Sequence, residues 1–216
     1  MLGSLIKGEP ALKEAIMARP LSPDYGKRKQ LILEKSAEMF AEHGYHKASI
    51  DQLADACGMS KSLVYHYFKS KHELLFQCMK EHVTELHTEA ARCAALDIPA
   101  TEQVTALMQN FMKFYENAGP RHRILVNDLT HLKSEQRREI VAIQDQIIHI
   151  LNDMLAKVTK NTSAEATNGT VLSLLLLSMI NWTYTWYDPK GPITPEALGQ
   201  LVSDIFMNGV HSLGKP

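Results

Sequence analysis

The feature that most restricts the fold of this chain is a run of twenty residues, SIDQLADACGMSKSLVYHYF, at positions 49–68. Ser49 and Gln52 have the spacing of a capping box, which predicts that a short helix begins there. Gly58 interrupts that helix, and Ser60 can cap a second one. Two short helices joined by a tight turn predict a helix-turn-helix, the motif that places its second helix in the major groove of DNA.

The second of these helices must expose polar side chains on one face if it is to reach base edges. Positions three and four apart lie side by side on a helix, so one such face can form here. A purely structural pair of helices, with half-buried tyrosines, is the alternative. The candidates for the exposed face are Lys61, Ser62, Tyr65 and His66.

The rest of the sequence also favours helices, and it contains no strand pattern. Ser70 and Glu73 repeat the capping-box spacing at the start of a long helix. Thr194 followed by Pro195 is a strong helix start, because proline is well placed at the first helical position. The sequence therefore predicts an all-α fold of nine helices, at 27–44, 49–56, 60–68, 70–92, 101–118, 121–132, 134–160, 163–187 and 195–212.

Composition is typical of a globular protein: hydrophobic residues make up 45% of the 216 residues. The longest apolar run, Val171–Ile180, is about half of what a membrane span needs, and no signal peptide is recognisable. We therefore expect a cytoplasmic protein. The three cysteines form no C-x-x-C pair, which favours core packing over disulfides or zinc. Residues 1–71 carry a net charge of +3 and residues 72–216 one of −4, a mild bias of positive charge toward the motif.

Residues 29–75 resemble the DNA-binding domain of the TetR (tetracycline repressor) family, and the matching string is AEMFAEHGYHKASIDQLADACGMSKSLVYHYFKSKHELL. Leu53, Cys57 and Met59 stand where isoleucine, alanine and valine are usual, and all three keep apolar character. The resemblance implies a DNA-binding repressor with three parts. These are a flexible N-terminal arm (1–26), a three-helix helix-turn-helix domain (27–70), and a helical ligand-binding and dimerisation domain (71–216).

The resemblance also implies contacts with DNA, and each has a physical reason. Lys61 and Ser62, near the start of the recognition helix, are candidates for base edges, since lysine suits guanine O6 and N7. Ser49 begins a helix whose free N–H groups favour a phosphate, and Lys71 can reach a phosphate as a point charge. Tyr65 can donate to a phosphate or stack on a sugar or a thymine methyl. The implied DNA contacts are Ser49, Ser60, Lys61, Ser62, Tyr65, His66, Tyr67 and Lys71.

Two apolar helices suit the dimerisation that the resemblance implies. Residues 171–186 are apolar almost all round, and such a helix must be buried on every side. The last helix carries an apolar stripe over 198–210. One side of each helix can face the core and the other a partner subunit; packing within one subunit is the alternative. The predicted interface residues are Leu175, Leu198, Leu201 and Ile205.

Methionines and aromatic residues at 107–115 and 181–187 are candidates for a ligand pocket, because they form adaptable apolar walls. Plain core packing is the alternative. The string NWTYTWYDPKGPITPEAL resembles the terminal region of TetR-type regulators that respond to acyl-CoA thioesters in fatty-acid, steroid or aromatic-acid catabolism. Arg121, His122 and Arg123, just after Pro120, can meet CoA phosphates at a helix start, or they form a solvated surface cluster. The predicted pocket residues are Met108, Phe111, Met112, Tyr115, Arg121, Arg123, Asn181, Trp182, Tyr184 and Trp186.

An enzyme is disfavoured, because the sequence contains no H-E-x-x-H, G-x-S-x-G or glycine-rich phosphate loop. We expect no cofactor and no metal site. A drug-efflux repressor of the same family, which responds to hydrophobic cations, is the alternative regulator. Asp128 and Glu116 are the acids near the predicted pocket. Positive charge at the pocket mouth favours CoA, whereas a buried acid favours a cation.

Overall fold

A computed structural model describes residues 24–160 and 169–212. Over these residues the chain forms nine α-helices and no strand, which confirms the predicted all-α fold. None of the helices in these two ranges is long and apolar enough to cross a membrane. The helices are α1 (Tyr25–Lys47), α2 (Ile50–Ala56), α3 (Lys61–Tyr67), α4 (Lys71–Ala94), α5 (Ala100–Asn117), α6 (Gly119–Asn127), α7 (Ser134–Thr159), α8 (Gly169–Asn181) and α9 (Pro195–Ser212).

The turn between α2 and α3 forms as the sequence predicts. The hydroxyl of Ser49 accepts the N–H of Gln52 at 3.2 Å, and the Gln52 side chain accepts the N–H of Ser49 at 3.1 Å. Ser60 caps α3 by accepting the N–H of Leu63 at 3.2 Å. Gly58 has a φ of 61°, a left-handed conformation that glycine adopts without strain. Local hydrogen bonds therefore fix the start of each helix in the helix-turn-helix.

The start of α4 differs from the predicted capping box. The hydroxyl of Ser70 accepts the N–H of Glu73 at 3.1 Å, as expected. However, the Glu73 carboxylate accepts the N–H of Lys69 at 2.7 Å, one residue before the cap. Both polar side chains still satisfy free N–H groups at the helix start, so α4 begins at a fixed point directly after the recognition helix.

Several predicted boundaries were wrong. α1 begins two residues before Lys27, and residues 1–23 of the predicted arm lie outside the described residues. The helix expected at 121–132 ends at Asn127 and is followed by a 3₁₀ turn, Leu129–His131. The helix expected at 163–187 ends at Asn181; residues 161–168 again lie outside the described ranges.

The early end of α8 has a local cause. The Thr183 hydroxyl donates to the carbonyl of Ile180 at 2.6 Å, three residues back, inside a 3₁₀ turn that runs from Trp182 to Thr185. A threonine that bonds its own backbone in this way competes with the regular α-helical pattern. The aromatic string after α8 is therefore a tight turn and not the last part of a long helix.

The helices that follow α3 are organised around α4 and α5. α4 packs against α7, α5, α6 and α1, and α5 packs against α9. A Cβ added at Gly199 would lie 2.6 Å from the Cα of Gln109, so glycine is required where α9 crosses α5. The hydroxyls of Thr105 and Ser203 are 2.7 Å apart at the same contact. α9 is therefore held to its own subunit along one face, and its opposite face remains exposed.

Candidate DNA-binding surface and effector cavity

The recognition helix α3 presents a polar face to solvent. Lys61, Ser62, Tyr65 and His66 are all exposed, and the Tyr65 side chain is 44% exposed. Val64 on the opposite face is fully buried. An exposed tyrosine beside three polar side chains is the surface that a major-groove helix needs.

Lys61 is held by an ion pair with the preceding helix. Its ammonium lies 2.9 Å from the Asp51 carboxylate, and both side chains are more than half exposed. The hydrogen bond to Asp51 raises the pKa of Lys61. A contact between Lys61 and a base would replace or share this pair.

Four more of the predicted DNA contacts have local structural partners. Ser49 and Ser60 use their hydroxyls as helix caps, and the Ser60 hydroxyl lies 3.0 Å from that of Ser62. The Tyr67 ring lies 4.7 Å from the ring of Tyr25, the first residue of α1. These contacts set the orientation of α3, and the phosphate contacts of these residues stay predictions.

Lys71 is more enclosed than a side chain that simply points at a phosphate. Its ammonium donates to the carbonyl oxygens of Tyr45 at 2.8 Å, Ala48 at 2.9 Å and His46 at 3.4 Å. It also lies 4.5 Å from the centre of the Tyr45 ring. An ammonium has three donors, so all of them have protein partners here. Lys71 thus caps the C-terminal end of α1, where a positive charge is favourable, and a phosphate must compete with these carbonyls.

A cavity of about 280 Å³, here called the effector cavity, lies among helices α4 to α8. Its exposed lining residues, Asp145, Leu174 and Ser178 among them, mark its mouth. The other lining residues are Val83, Leu86, Phe111, Tyr115, His122, Leu125, Val126, Gln144, Ile147, Ile148, Leu177 and Asn181.

The inner part of this cavity contains a buried polar cluster. The Tyr115 hydroxyl donates to Oδ1 of Asn181 at 2.7 Å, and the Tyr115 ring stacks on His122 with centroids 3.6 Å apart. Nε2 of His82 lies 3.4 Å from Nδ1 of His122. Burial lowers the pKa of His82 to about 3 and that of His122 to about 4, so both rings are neutral at neutral pH. Burial also raises the pKa of Tyr115.

Two further cavities border the same region. One, of about 310 Å³, is lined by Met112, Tyr115, Arg123 and Tyr184, with Glu116. The other, of about 480 Å³, lies between α1 and α6, shares Arg123 and Tyr184, and includes Asp128. Burial raises the pKa of Asp128.

The structure brings together only part of the predicted pocket. Phe111, Tyr115 and Asn181 line the effector cavity, whereas Met112, Arg123 and Tyr184 line the neighbouring cavities. Four predicted residues line none of the three. Met108 is fully buried in the core, Arg121 forms an ion pair with Glu85 at 3.0 Å, and Trp182 and Trp186 are 62% and 60% exposed.

Sequence reasoning missed the contributions of α4 and α7. Val83 and Leu86 from α4, and Gln144, Ile147 and Ile148 from α7, form much of the effector cavity wall. Their apolar spacing indicates a buried helix face, but it does not reveal that the buried face borders a cavity.

The charges at the effector cavity match neither the positive mouth expected for CoA nor the buried acid expected for a cation. Asp145 is exposed there, and none of the described residues that line the effector cavity is a lysine or an arginine. The same set of residues contains no buried acid. Its interior is neutral, with hydroxyl, amide and imidazole groups in an otherwise apolar wall.

The predicted dimer residues fall into two groups. Leu175, Leu201 and Ile205 are 54%, 47% and 56% exposed, together with Leu174 and Val171 on α8. Leu198 is only 5% exposed, because it lies on the face of α9 that packs against its own subunit. The prediction of Leu198 as an interface residue was wrong.

A helix-turn-helix with an exposed polar recognition helix, joined by one long helix to a cavity-bearing helical domain, defines a DNA-binding transcriptional regulator. Family models confirm this class and identify the family. "Bacterial regulatory proteins, tetR family" matches residues 32–78, and "Tetracyclin repressor-like, C-terminal domain" matches residues 97–210. The chain belongs to the TetR family.

Known proteins resemble the chain over most of its length. A TetR-family transcriptional regulator from Bordetella parapertussis has 32% identity and a TM-score of 0.80, covering 89% of this chain and 100% of that one. The HTH-type transcriptional activator FasR of Mycolicibacterium smegmatis is 22% identical over 79% of this chain and 77% of its own length. The structure of AibR in complex with isovaleryl coenzyme A and operator DNA has 23% identity and a TM-score of 0.73, covering 85% of this chain and 98% of that one.

Proposed function

We propose that the protein is a homodimeric repressor that leaves a palindromic operator when an acyl-CoA thioester binds its effector cavity. The observation that carries this proposal is the position of α4. Its first residues follow the recognition helix, and Val83 and Leu86, further along the same helix, line the effector cavity. A ligand that moves the cavity end of α4 changes the position of α3.

Dimerisation is supported by the exposed apolar faces of α8 and α9. Five large apolar side chains on these helices are about half exposed in the isolated subunit, which is unfavourable in water. An isologous interface covers the same patch on both subunits, and it sets two recognition helices at the spacing of one DNA turn, about 34–36 Å. The five side chains are Val171, Leu174, Leu175, Leu201 and Ile205.

The acyl-CoA class is supported by the size and neutrality of the cavity. At about 30 Å³ for each water-sized group, the cavity holds about nine non-hydrogen atoms, which suits a short or medium acyl group. AibR, a structural neighbour, binds isovaleryl coenzyme A. One observation favours a different ligand, a hydrophobic cation: over residues 24–160 and 169–212, Asp145 is the only charged residue that lines the mouth.

The test uses operator DNA selected from a random library and a panel of straight and branched acyl-CoAs. Fluorescence anisotropy should show that an acyl-CoA lowers operator affinity. Calorimetry should show that operator lowers acyl-CoA affinity by the same factor, because linkage is reciprocal. Asp145→Asn is informative for the ligand class, since removal of the carboxylate should strengthen CoA binding and weaken binding of a cationic dye. If the cationic dye binds and no thioester does, the protein is instead proposed to be a drug-efflux repressor that responds to hydrophobic cations.

The direction of regulation has its own test, which matters because the relative FasR is an activator. The operator is placed at a promoter that drives a reporter, with and without the protein. The proposal expects lower expression with the protein present and recovery on addition of the acyl precursor. Expression that rises with the protein would identify an activator.

A further inference from the structure

The polar cluster inside the effector cavity lies away from its mouth. Tyr115 and His122 are 7% and 1% exposed, whereas Asp145, Leu174 and Ser178 at the mouth are exposed. On α6, His122 lies one turn before the half-exposed Val126. A ligand whose large polar part stays outside the mouth therefore brings the far end of its inserted group to this cluster.

Within the described residues, two ring nitrogens of the cluster lack a hydrogen-bond partner, Nδ1 of His82 and Nε2 of His122, and of these two residues His122 is the one that lines the cavity. Nδ1 of His122 is paired with Nε2 of His82, but Nε2 of His122 is buried without a partner in a residue that lines the cavity. Nδ1 of His82 is sealed in the core without a partner, where a buried N–H costs more than an unpaired ring nitrogen, so the proton of His82 lies on Nε2. His82 then donates to Nδ1, and His122 offers an N–H into the cavity.

A buried N–H without an acceptor is unfavourable, and a site that contains one favours ligands that supply the acceptor. We propose that the effector is an acyl group with a carbonyl-type oxygen at its distal end, which accepts the Nε2–H of His122. The Tyr115 ring, whose hydroxyl is held by Asn181, stacks on the same imidazole and limits where that oxygen can sit. This inference rests on the proposed acyl-CoA function and specifies which acyl groups belong to it.

The cavity volume limits the length of such a group. About nine non-hydrogen atoms fill 280 Å³, so the distal oxygen of a medium-length acyl group reaches the cluster while the thioester stays near the mouth. A plain alkyl chain of the same length would leave the His122 N–H buried against a methyl group. The site is thus expected to distinguish an oxidised acyl chain, or a ring ketone of similar size, from a saturated one.

The decisive measurement compares two ligands of equal shape. The first is 6-oxoheptanoyl-CoA and the second is 6-methylheptanoyl-CoA, in which a methyl group replaces the ketone oxygen. Calorimetry with the wild-type full-length protein should show tighter binding of the oxo compound by about ten- to a hundredfold. The oxo compound should also release operator DNA at a correspondingly lower concentration.

A variant of His122 tests whether this side chain causes the preference for the oxo compound. His122→Phe keeps a flat ring against Tyr115 but removes the N–H, so it should abolish or reverse the preference for the oxo compound. His149→Phe is the matched control, because His149 is exposed on α7 and does not line the cavity. The His149→Phe protein should keep the wild-type ratio of affinities for the two compounds. Thermal denaturation shows whether each variant is folded, and the wild-type ligand pair decides the question even if His122→Phe is not.

Three results overturn the inference. Equal affinity of the wild-type protein for both compounds shows that no acceptor is required at the distal end. Equal weakening of both compounds by His122→Phe places the thioester carbonyl, and not a distal oxygen, at His122. Absence of binding by either compound, or by any other thioester in the panel, removes the proposed acyl-CoA function itself.

Discussion

The imidazole ring of His131 stacks on the phenol ring of Tyr45, with centroids 5.0 Å apart and planes inclined by 19°. His131 belongs to the turn after α6, whereas Tyr45 lies near the end of α1 in the DNA-binding domain. α6 also supplies Leu125 and Val126 to the effector cavity. This stack therefore connects the turn after a cavity-lining helix to the end of α1, in addition to the connection that α4 provides.

The first prediction concerns that route. His131→Ala removes the stack without touching the recognition helix or the cavity, so operator affinity and effector affinity should each stay near the wild-type value. The coupling between them, for which about 1–3 kcal/mol is typical, should shrink. Effector titrations with and without operator measure the coupling. His149→Ala, at an exposed position of α7, should leave it intact. Full coupling in His131→Ala would show that this stack does not carry the signal, which would leave α4 and the direct packing of α6 on α1.

The second prediction separates the two roles of Lys71. If it mainly caps α1 through three carbonyl oxygens, Lys71→Gln should lower the melting temperature and leave the salt dependence of operator binding unchanged. A direct phosphate contact would instead reduce the slope of log K against log salt by about one. Lys69→Gln is the control, because Lys69 is exposed two residues earlier. We expect the melting temperature to fall only in Lys71→Gln.

The third prediction concerns base recognition. Lys61→Ala should cost roughly 1–3 kcal/mol at one base position in each half-site, because a bidentate contact to guanine would be lost. Asp51→Asn should act in the opposite direction or be neutral, since it frees Lys61 from its 2.9 Å ion pair. Binding to a library of operators with single base changes measures both. A uniform loss across all sequences in Lys61→Ala would make Lys61 a phosphate contact.

The sequence predicted what depends on neighbouring residues and missed what depends on distant ones. Ser49 with Gln52 fixes a helix start within four positions, so both the helix and its cap were correct. The effector cavity depends on side chains from five helices, and nothing local distinguishes its wall from ordinary core. The apolar residues of α9 give a second example. Their helical spacing places Leu198 and Leu201 on one apolar stripe, but it does not show which of the two faces the core of the subunit.

The fourth prediction is a loss of stability in mild acid. Burial lowers the pKa of His82 to about 3 and that of His122 to about 4, from an ordinary value of 6.5. At pH values between the lowered pKa of each folded histidine and 6.5, the unfolded chain binds more protons than the folded one. Stability is therefore full above about pH 6.5 and falls as the pH decreases, by up to about 1.4 kcal/mol per pH unit for each histidine.

Urea denaturation at pH 7, 6 and 5 tests this prediction. The double variant His82→Leu/His122→Phe removes both titrating groups, so its stability should change less with pH than that of the wild type. His149→Gln controls for an exposed histidine and should follow the wild-type curve. Parallel curves for the wild type and the double variant would show that neither buried ring controls acid stability.

The fifth prediction identifies the dimer interface with two leucines that lie three residues apart on α9. Leu201 is 47% exposed, whereas Leu198 is 5% exposed inside the subunit. Leu201→Glu places a charge on the exposed apolar face, so it should give folded monomers by light scattering. It should also abolish operator binding, because one half-site supplies too little affinity. Leu198→Ala should lower the free energy of unfolding by about 2–5 kcal/mol through a core cavity and leave the protein dimeric. A Leu201→Glu protein that remains dimeric would exclude this face of α9 and shift the search to the rest of the exposed apolar surface.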